Sequence, residues 1–299
     1  MTKKFNPGHY VALLRKYDSP DLIRKLASTP NLRGFMKRYT HASLEPEQGK
    51  YTLDEIENDL ALCQSLNMML VAQIEDKTFG IPSQTAPENP MPAYLQAKTA
   101  INKANGITAI RWEPQVLRRS VALLRELGCR FDSHPNFEGV VTGESAPSLD
   151  SAVLTRWNYT PELYRDAFKT LIEYAGISFP TTGYFWMQNF LPRGQQYIGE
   201  ILQWATQTGQ THLCFGGPDC LQKNDALVTN AYPNYTKYNG MLPSFILMSS
   251  PSYDEWSDEL QRVYTVAEQR DYAIKKLGVE YIFWMYRADK WGEVTATIA

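Results

Sequence analysis

Short apolar runs alternate with longer amphipathic ones along almost the whole of this 299-residue chain, and that alternation narrows the fold more than any other feature. Eight runs read as strands: "HYVALL" (9–14), "LRGFMKRYT" (32–40), "MMLVAQIED" (68–76), "FEGVVTGES" (137–145), "TGYFWMQN" (182–189), "THLCFGG" (211–217), "LPSFILMSS" (242–250) and "VEYIFWMY" (279–286). The third has no polar alternation, as in a strand covered on both faces. Helix-like stretches lie between them. "SPDLIRKLAS" opens with Ser19 as N-cap and Pro20 in its first turn. "TLDEIENDLALCQSL" sets Leu53, Ile56, Leu60 and Leu66 on one face behind a Thr52–Glu55 capping box. A third helix is expected to end at Gly128, and a fourth to run from the Thr160 cap to Gly176. The stretch 253–278 reads as the longest helix. Strands and helices in such alternation require parallel strands joined by crossovers. Eight units in about 250 residues or more suit a closed (β/α)8 TIM barrel. With no linker or composition shift, one domain over 1–299 is expected. The rival is an open doubly wound sheet, but no Gly-rich phosphate loop follows the first strand.

The bulk numbers remove several function classes. Thirty Lys+Arg against 32 Asp+Glu leave a net charge of -2, so no polyanionic partner is advertised and no nucleic acid is expected. The apolar runs are too short to cross a bilayer, so no membrane partner is expected either. The start "MTKKFNPGHYVALL" lacks an apolar core with a cleavage site. The four cysteines are scattered without metal spacing, with Cys63 and Cys129 read as buried helix thiols. A cytoplasmic protein without cofactor or metal is the expectation; a chain whose leader had been replaced by methionine would read the same.

Two connections are unusually long, 77–112 after the third strand and 217–241 after the sixth, and both leave strand C-termini. Barrel enzymes build their sites at that end, so both should wall the cleft. The residues finishing the strands are Arg38, Tyr39, His41, Gln73, Glu75, Asp76, Thr142, Glu144, Gln188, Asn189, Asp219, Ser249, Ser250, Trp284 and Tyr286. Carboxylates for proton transfer, amides for hydroxyls and aromatic faces for a ring together suit a carbohydrate.

The stretch "RYTHASLEPEQGKYTLDEIENDL", with Glu45, Pro46, Gly49 and Tyr51, resembles a stretch of the clan A glycoside hydrolases, which are (β/α)8 barrels. The resemblance implies an acid/base glutamate at the end of strand four, here Glu144, and a stacking Trp at the end of strand eight, here Trp284. It also implies a nucleophilic glutamate closing strand seven. This chain has Ser249 and Ser250 there, so the second carboxylate is sought at Asp219 or Asp76. The expected activity is hydrolysis of a glycosidic bond in an oligo- or polysaccharide, with Glu144 as proton donor. Arg38, His41, Gln73, Asn189, Trp284 and Tyr286 are the expected substrate-binding residues.

Plainer readings stand beside these. Glu144 and Asp219 are also ordinary turn residues. Asp76 also fits a structural ion pair with Lys77 or Arg38, and Trp284 fits the core. Two other functions remain open. One is a metal-dependent barrel hydrolase or isomerase with Asp76, Glu144, Asp219 and His41 as ligands. The other is a carbohydrate-binding barrel without catalysis.

Overall fold

The computed structural model describes residues 3–80 and 88–299. Part of the 77–112 connection, residues 81–87, therefore lies outside the described residues.

Eight strands close into a barrel: β1 (Gly8–Ala12), β2 (Leu32–Thr40), β3 (Met69–Glu75), β4 (Phe137–Val141), β5 (Gly183–Met187), β6 (Leu213–Gly217), β7 (Ser244–Met248) and β8 (Tyr281–Met285). Each pairs in parallel with its sequence neighbours, and β8 closes on β1 with Val11 opposite Trp284. The longest ladder joins β2 to β3, from Gly34 opposite Met69 to Thr40 opposite Glu75. The expected barrel is the observed one.

Side chains alternate along each strand, which splits the core in two. Tyr10, Ala12, Met36, Val71, Val141, Phe185, Met187, Phe245, Leu247 and Phe283 fill the barrel. The opposite parity, including Val11, Phe35, Trp186 and Trp284, packs outward against the helices. Those helices are α1 (Pro20–Ala27), α2 (Asp54–Ser65), α3 (Pro114–Phe131), α4 (Pro161–Ser178), α5 (Gln196–Gln207), α6 (Tyr232–Tyr238), α7 (Val266–Asp271) and α8 (Trp291–Ile298).

Ser19 and Thr160 cap α1 and α4 as expected, accepting from the N–H groups of Leu22 and Leu163. Several other element boundaries differ from the sequence reading. Thr52 does not cap α2; its N–H donates to Leu44 O, and Leu53 takes the cap position. Gly128 and Gly176 do not end their helices, which run on to Phe131 and Ser178. They are close-approach positions: a Cβ would lie 2.1 Å from Ser178 O at Gly128 and 2.3 Å from His212 Cε1 at Gly176. The 253–278 helix is not formed. Trp256–Ser257 and Arg262–Val263 pair as an antiparallel hairpin, and Gln261 turns it with φ 52°. Helix begins only at Val266, behind the Thr265 cap. Cys129 is exposed on α3 rather than buried.

The N-terminal segment covers the base of the barrel. Buried Glu138 accepts hydrogen bonds there from Asn6 N (2.8 Å), Asn6 Nδ2 (2.7 Å) and Tyr281 Oη (2.7 Å). No described helix is long and apolar enough to cross a membrane.

Candidate active site

Beyond the last apolar layer the same inward parity continues with polar residues, and the C-terminal strand ends frame a cavity of about 350 Å³. In β2, Met36 is followed by Arg38; in β3, Val71 by Gln73 and Glu75; after β7, Leu247 by Ser249. Arg38, Gln73, Glu75, Lys77 and Glu144 make a charged wall. Met187, Pro218, Leu247, Pro251 and Met285 make an apolar one opposite. Asp219 and Ser249 belong to that second side.

Glu144 is held at both oxygens. Lys77 Nζ donates to Oε1 at 2.5 Å and Asn189 Nδ2 donates to Oε2 at 2.6 Å. Lys77 also donates to Ala146 O and Ser148 Oγ, each at 2.9 Å. All three ammonium protons are thereby engaged, so Lys77 is a fixed cation and not a free amine. Burial lowers its pKa, and the charge of Glu144 offsets part of that. The chain past β3 is set by backbone bonds to the 107–109 strand, Ala109 N to Asp76 O and Thr78 N to Ile107 O.

Asp219 is placed differently. It faces the cavity just after β6, and one oxygen accepts from Ser249 Oγ. Burial pushes its pKa up; the Ser249 hydrogen bond opposes this, and the negative charge of Glu144 adds to it. No cation pairs with Asp219 among the described residues. The two carboxyls thus share one cavity with unlike surroundings, the pattern that separates acid from base in one site.

Asp76 is bound by Arg111, whose Nε and Nη2 donate to its two oxygens at 2.6 Å each. Arg111 is buried, and it also donates to Glu144 O (2.5 Å) and Tyr164 Oη (3.0 Å). Burial alone would lower the guanidinium, but Asp76 and Tyr164 carry it well above its ordinary value. The expected partners of Asp76, Lys77 and Arg38, are therefore displaced by one that lies 35 residues on. A Cβ at Gly143 would lie 2.5 Å from both Arg111 Nη2 and Asp76 Oδ1, so the glycine makes room for this ion pair.

Other expected site residues turn elsewhere. His41 is 1% exposed and pairs with Glu45 (Nε2 to Oε2, 3.1 Å); burial lowers its pKa to about 4. Glu45 also accepts from Gly49 N at 2.7 Å and from Arg119, which reaches the Tyr51 hydroxyl at 2.9 Å. Glu45 and Pro46 are buried, residues 47–50 are exposed, and none of the stretch from Glu45 to Tyr51 lines the cavity. Trp284 has the outward parity of β8, is fully buried, and donates from Nε1 to His9 Nδ1 at 3.2 Å. Tyr286 packs edge-on against Tyr17, with centroids 5.4 Å apart. Asn189, 3% exposed, spends its Oδ1 on Ser145, Ala146 and Phe190 and its amide on Glu144, so it positions that carboxylate. Asp76, Glu144, Asp219 and His41 do not gather round one point, and no group of three ligating side chains suited to a metal ion occurs among the described residues. Arg38 and Gln73 do line the cavity. Sequence reasoning assigned no site role to Lys77, Arg111 or Phe79. The signal available was that all three sit in the overlong 77–112 connection.

No protein-family profile and no curated protein matches the chain. Solved structures are similar in fold. The catalytic domain of a beta-amylase from Paenibacillus polymyxa has a TM-score of 0.65 at 9% identity over 97% of both chains. Endo-glycoceramidase II from Rhodococcus sp. has 0.62 at 12% identity, covering 97% of this chain and 78% of its own. A psychrophilic glycoside hydrolase family 10 endo-beta-1,4-xylanase has 0.55 at 12% identity, covering 93% and 86%. The chain shares its eight-stranded barrel with these glycoside hydrolases, as the strand-end resemblance implied, and no single family among them is singled out.

Proposed function

We propose that the chain hydrolyses a glycosidic bond of an oligo- or polysaccharide, with Asp219 and Glu144 as its carboxyl pair. The observation that carries this reading is the unlike setting of two carboxyls on one cavity at the strand C-termini. Asp219 has burial and a nearby negative charge to keep its proton. Glu144 has an ammonium and an amide donating to its two oxygens. The roles are therefore reversed from the sequence expectation: Asp219 gives its proton to the glycosidic oxygen as the C–O bond breaks. Glu144 acts as the carboxylate. It either attacks the anomeric carbon to form an ester that water later cleaves, or takes the proton of an attacking water. The folds of the structural neighbours named above support the same reaction class.

The test uses aryl glycosides of graded leaving-group acidity. Asp219→Asn should lose on the order of 10²–10⁴ in rate on poor leaving groups and far less on activated ones, which need no protonation. Glu144→Gln should lose on both. The sign of the pH effect follows from the raised pKa of Asp219: the acid form is present below that pKa and is lost as pH rises through it. Wild-type rate should fall on that basic limb, and the limb should vanish in Asp219→Asn on activated substrates. If Glu144→Gln, and not Asp219→Asn, shows the leaving-group dependence, the roles return to the sequence expectation. If the wild type cleaves no glycoside in a broad panel, the reading fails.

A further inference from the structure

The catalytic cavity does not end at its charged wall. A second, open cavity of about 560 Å³ adjoins it, lined among others by Arg15, Lys16 and Thr78, and the two share Arg38, Glu75 and Phe79. Phe79 sits on the ridge between them and is 57% exposed, although it lies beside a buried lysine. Lys77 Nζ is 4.8 Å from the ring centroid, so a cation holds the ring on one side while much of its surface stays open.

The ridge is built, not loose. Thr78 donates to Ile107 O (2.8 Å) and accepts at Oγ1 from Ile107 N (3.1 Å), and Gly80 N donates to Ala104 O (2.9 Å). Gly106 is what lets the 99–109 hairpin come so near. A Cβ there would lie 2.0 Å from Thr78 O and 2.8 Å from Phe79 Cα. An exposed aromatic ring fixed by its backbone neighbours, at the joint of two cavities, has no core to fill.

We infer that the two cavities form one cleft for a glycan chain, and that Phe79 is the platform on which a ring next to the scissile unit stacks. This rests on the glycosidase reading and names its substrate class: a chain of at least two sugar rings, rather than a single glycosyl group on an arbitrary leaving group. The C–H face of a sugar ring packs on an aromatic face, and a ring in the outer cavity can cover the Phe79 surface that a lone glycosyl unit leaves open. The platform expected at Trp284 is thus supplied from the opposite side of the barrel mouth.

The experiment compares wild type, Phe79→Ala, Phe79→Trp and Ile177→Ala on nitrophenyl glycosides of one, two and three sugar units, in whichever sugar series the wild type cleaves. Ile177 is 65% exposed on α4 and controls for loss of an exposed apolar side chain. Phe79→Ala should raise KM for the longer substrates about 10-fold or more beyond any change on the single-unit substrate, and keep the wild-type melting temperature. Phe79→Trp should restore the longer substrates, and Ile177→Ala should change nothing. Equal kinetics of Phe79→Ala and wild type at every length would overturn the platform while leaving the glycosidase intact. So would a loss that is the same at every length. A wild type that cleaves no member of any series would overturn the glycosidase reading, and this inference with it.

Discussion

Glu138 and Glu144 lie six residues apart in the same stretch and have opposite tasks. Glu138 is sealed in the base of the barrel by Asn6 and Tyr281. Glu144 stands on the cavity, gripped by Lys77 and Asn189. At this scale what matters is the donor each oxygen meets. Lys77→Met keeps the stem and removes the charge, leaving Glu144 in a part-buried site without its cation. Breaking one side of such a pair costs about 3 kcal/mol, read as a lower urea midpoint. kcat should fall as well, because one oxygen of Glu144 loses the donor that fixes it. An unchanged kcat would mean that Lys77 only packs. Neither Lys77 nor Arg111 is legible as a site residue in the sequence, since a lysine or arginine in a long loop is ordinarily solvated. Folding places them among distant partners, Glu144, Ala146 and Ser148 for Lys77 and Asp76, Glu144 and Tyr164 for Arg111.

Elements were easier to read than their ends. Residues 266–277 are helical, but the expected 253–278 helix is interrupted by the 256–263 hairpin. The stop signal is local. Thr265 Oγ1 accepts from Glu268 N at 3.2 Å while Glu268 Oε2 accepts from Thr265 N at 2.8 Å, a capping box that starts a helix and so excludes one before it. Arg262 pairs with the same carboxylate, and with the cap it lowers the pKa of Glu268 to about 2. Thr265→Ala should destabilise the protein by about 1 kcal/mol, measured by thermal or denaturant unfolding. A depressed carboxylate contributes stability above its unfolded pKa and loses it as pH falls through the folded one. The difference between wild type and Glu268→Gln should therefore narrow as pH falls from the ordinary carboxylate range towards 2. A difference that does not vary with pH would mean the capping box is not formed in solution.

For the whole molecule, the proposed function divides the barrel along its axis, with stability at the base and chemistry at the mouth. The base is closed by buried hydrogen bonds, and the mouth carries unlike carboxyls and a cleft. Glu138→Ala strands the Asn6 and Tyr281 donors in the base and should cost about 3 kcal/mol with kcat and KM at their wild-type values. Loss of activity at full folding in this variant would contradict the division.

The sequence by itself determined the barrel, because eight apolar strands alternating with helices have few other ways to bury both faces of a parallel sheet. It also brought Glu144, Asp219, Arg38 and Gln73 to strand C-termini, where they line one cavity. Only the tertiary structure decided which way the last residues point. "VEYIFWMY" is apolar at both parities, so nothing local tells Trp284 from Met285. The β1–β8 register does, turning Trp284 outward to His9 and Met285 into the cavity. The same holds for charge. Asp76 finds Arg111, His41 finds Glu45, and Glu144 finds Lys77 and Asn189. Glu144 takes its partners from two other connections, Asp76 takes Arg111 from the far end of its own, and His41 takes Glu45 from four residues on. A side chain's chemistry in a barrel mouth depends on such neighbours, and they are brought together only when the barrel closes.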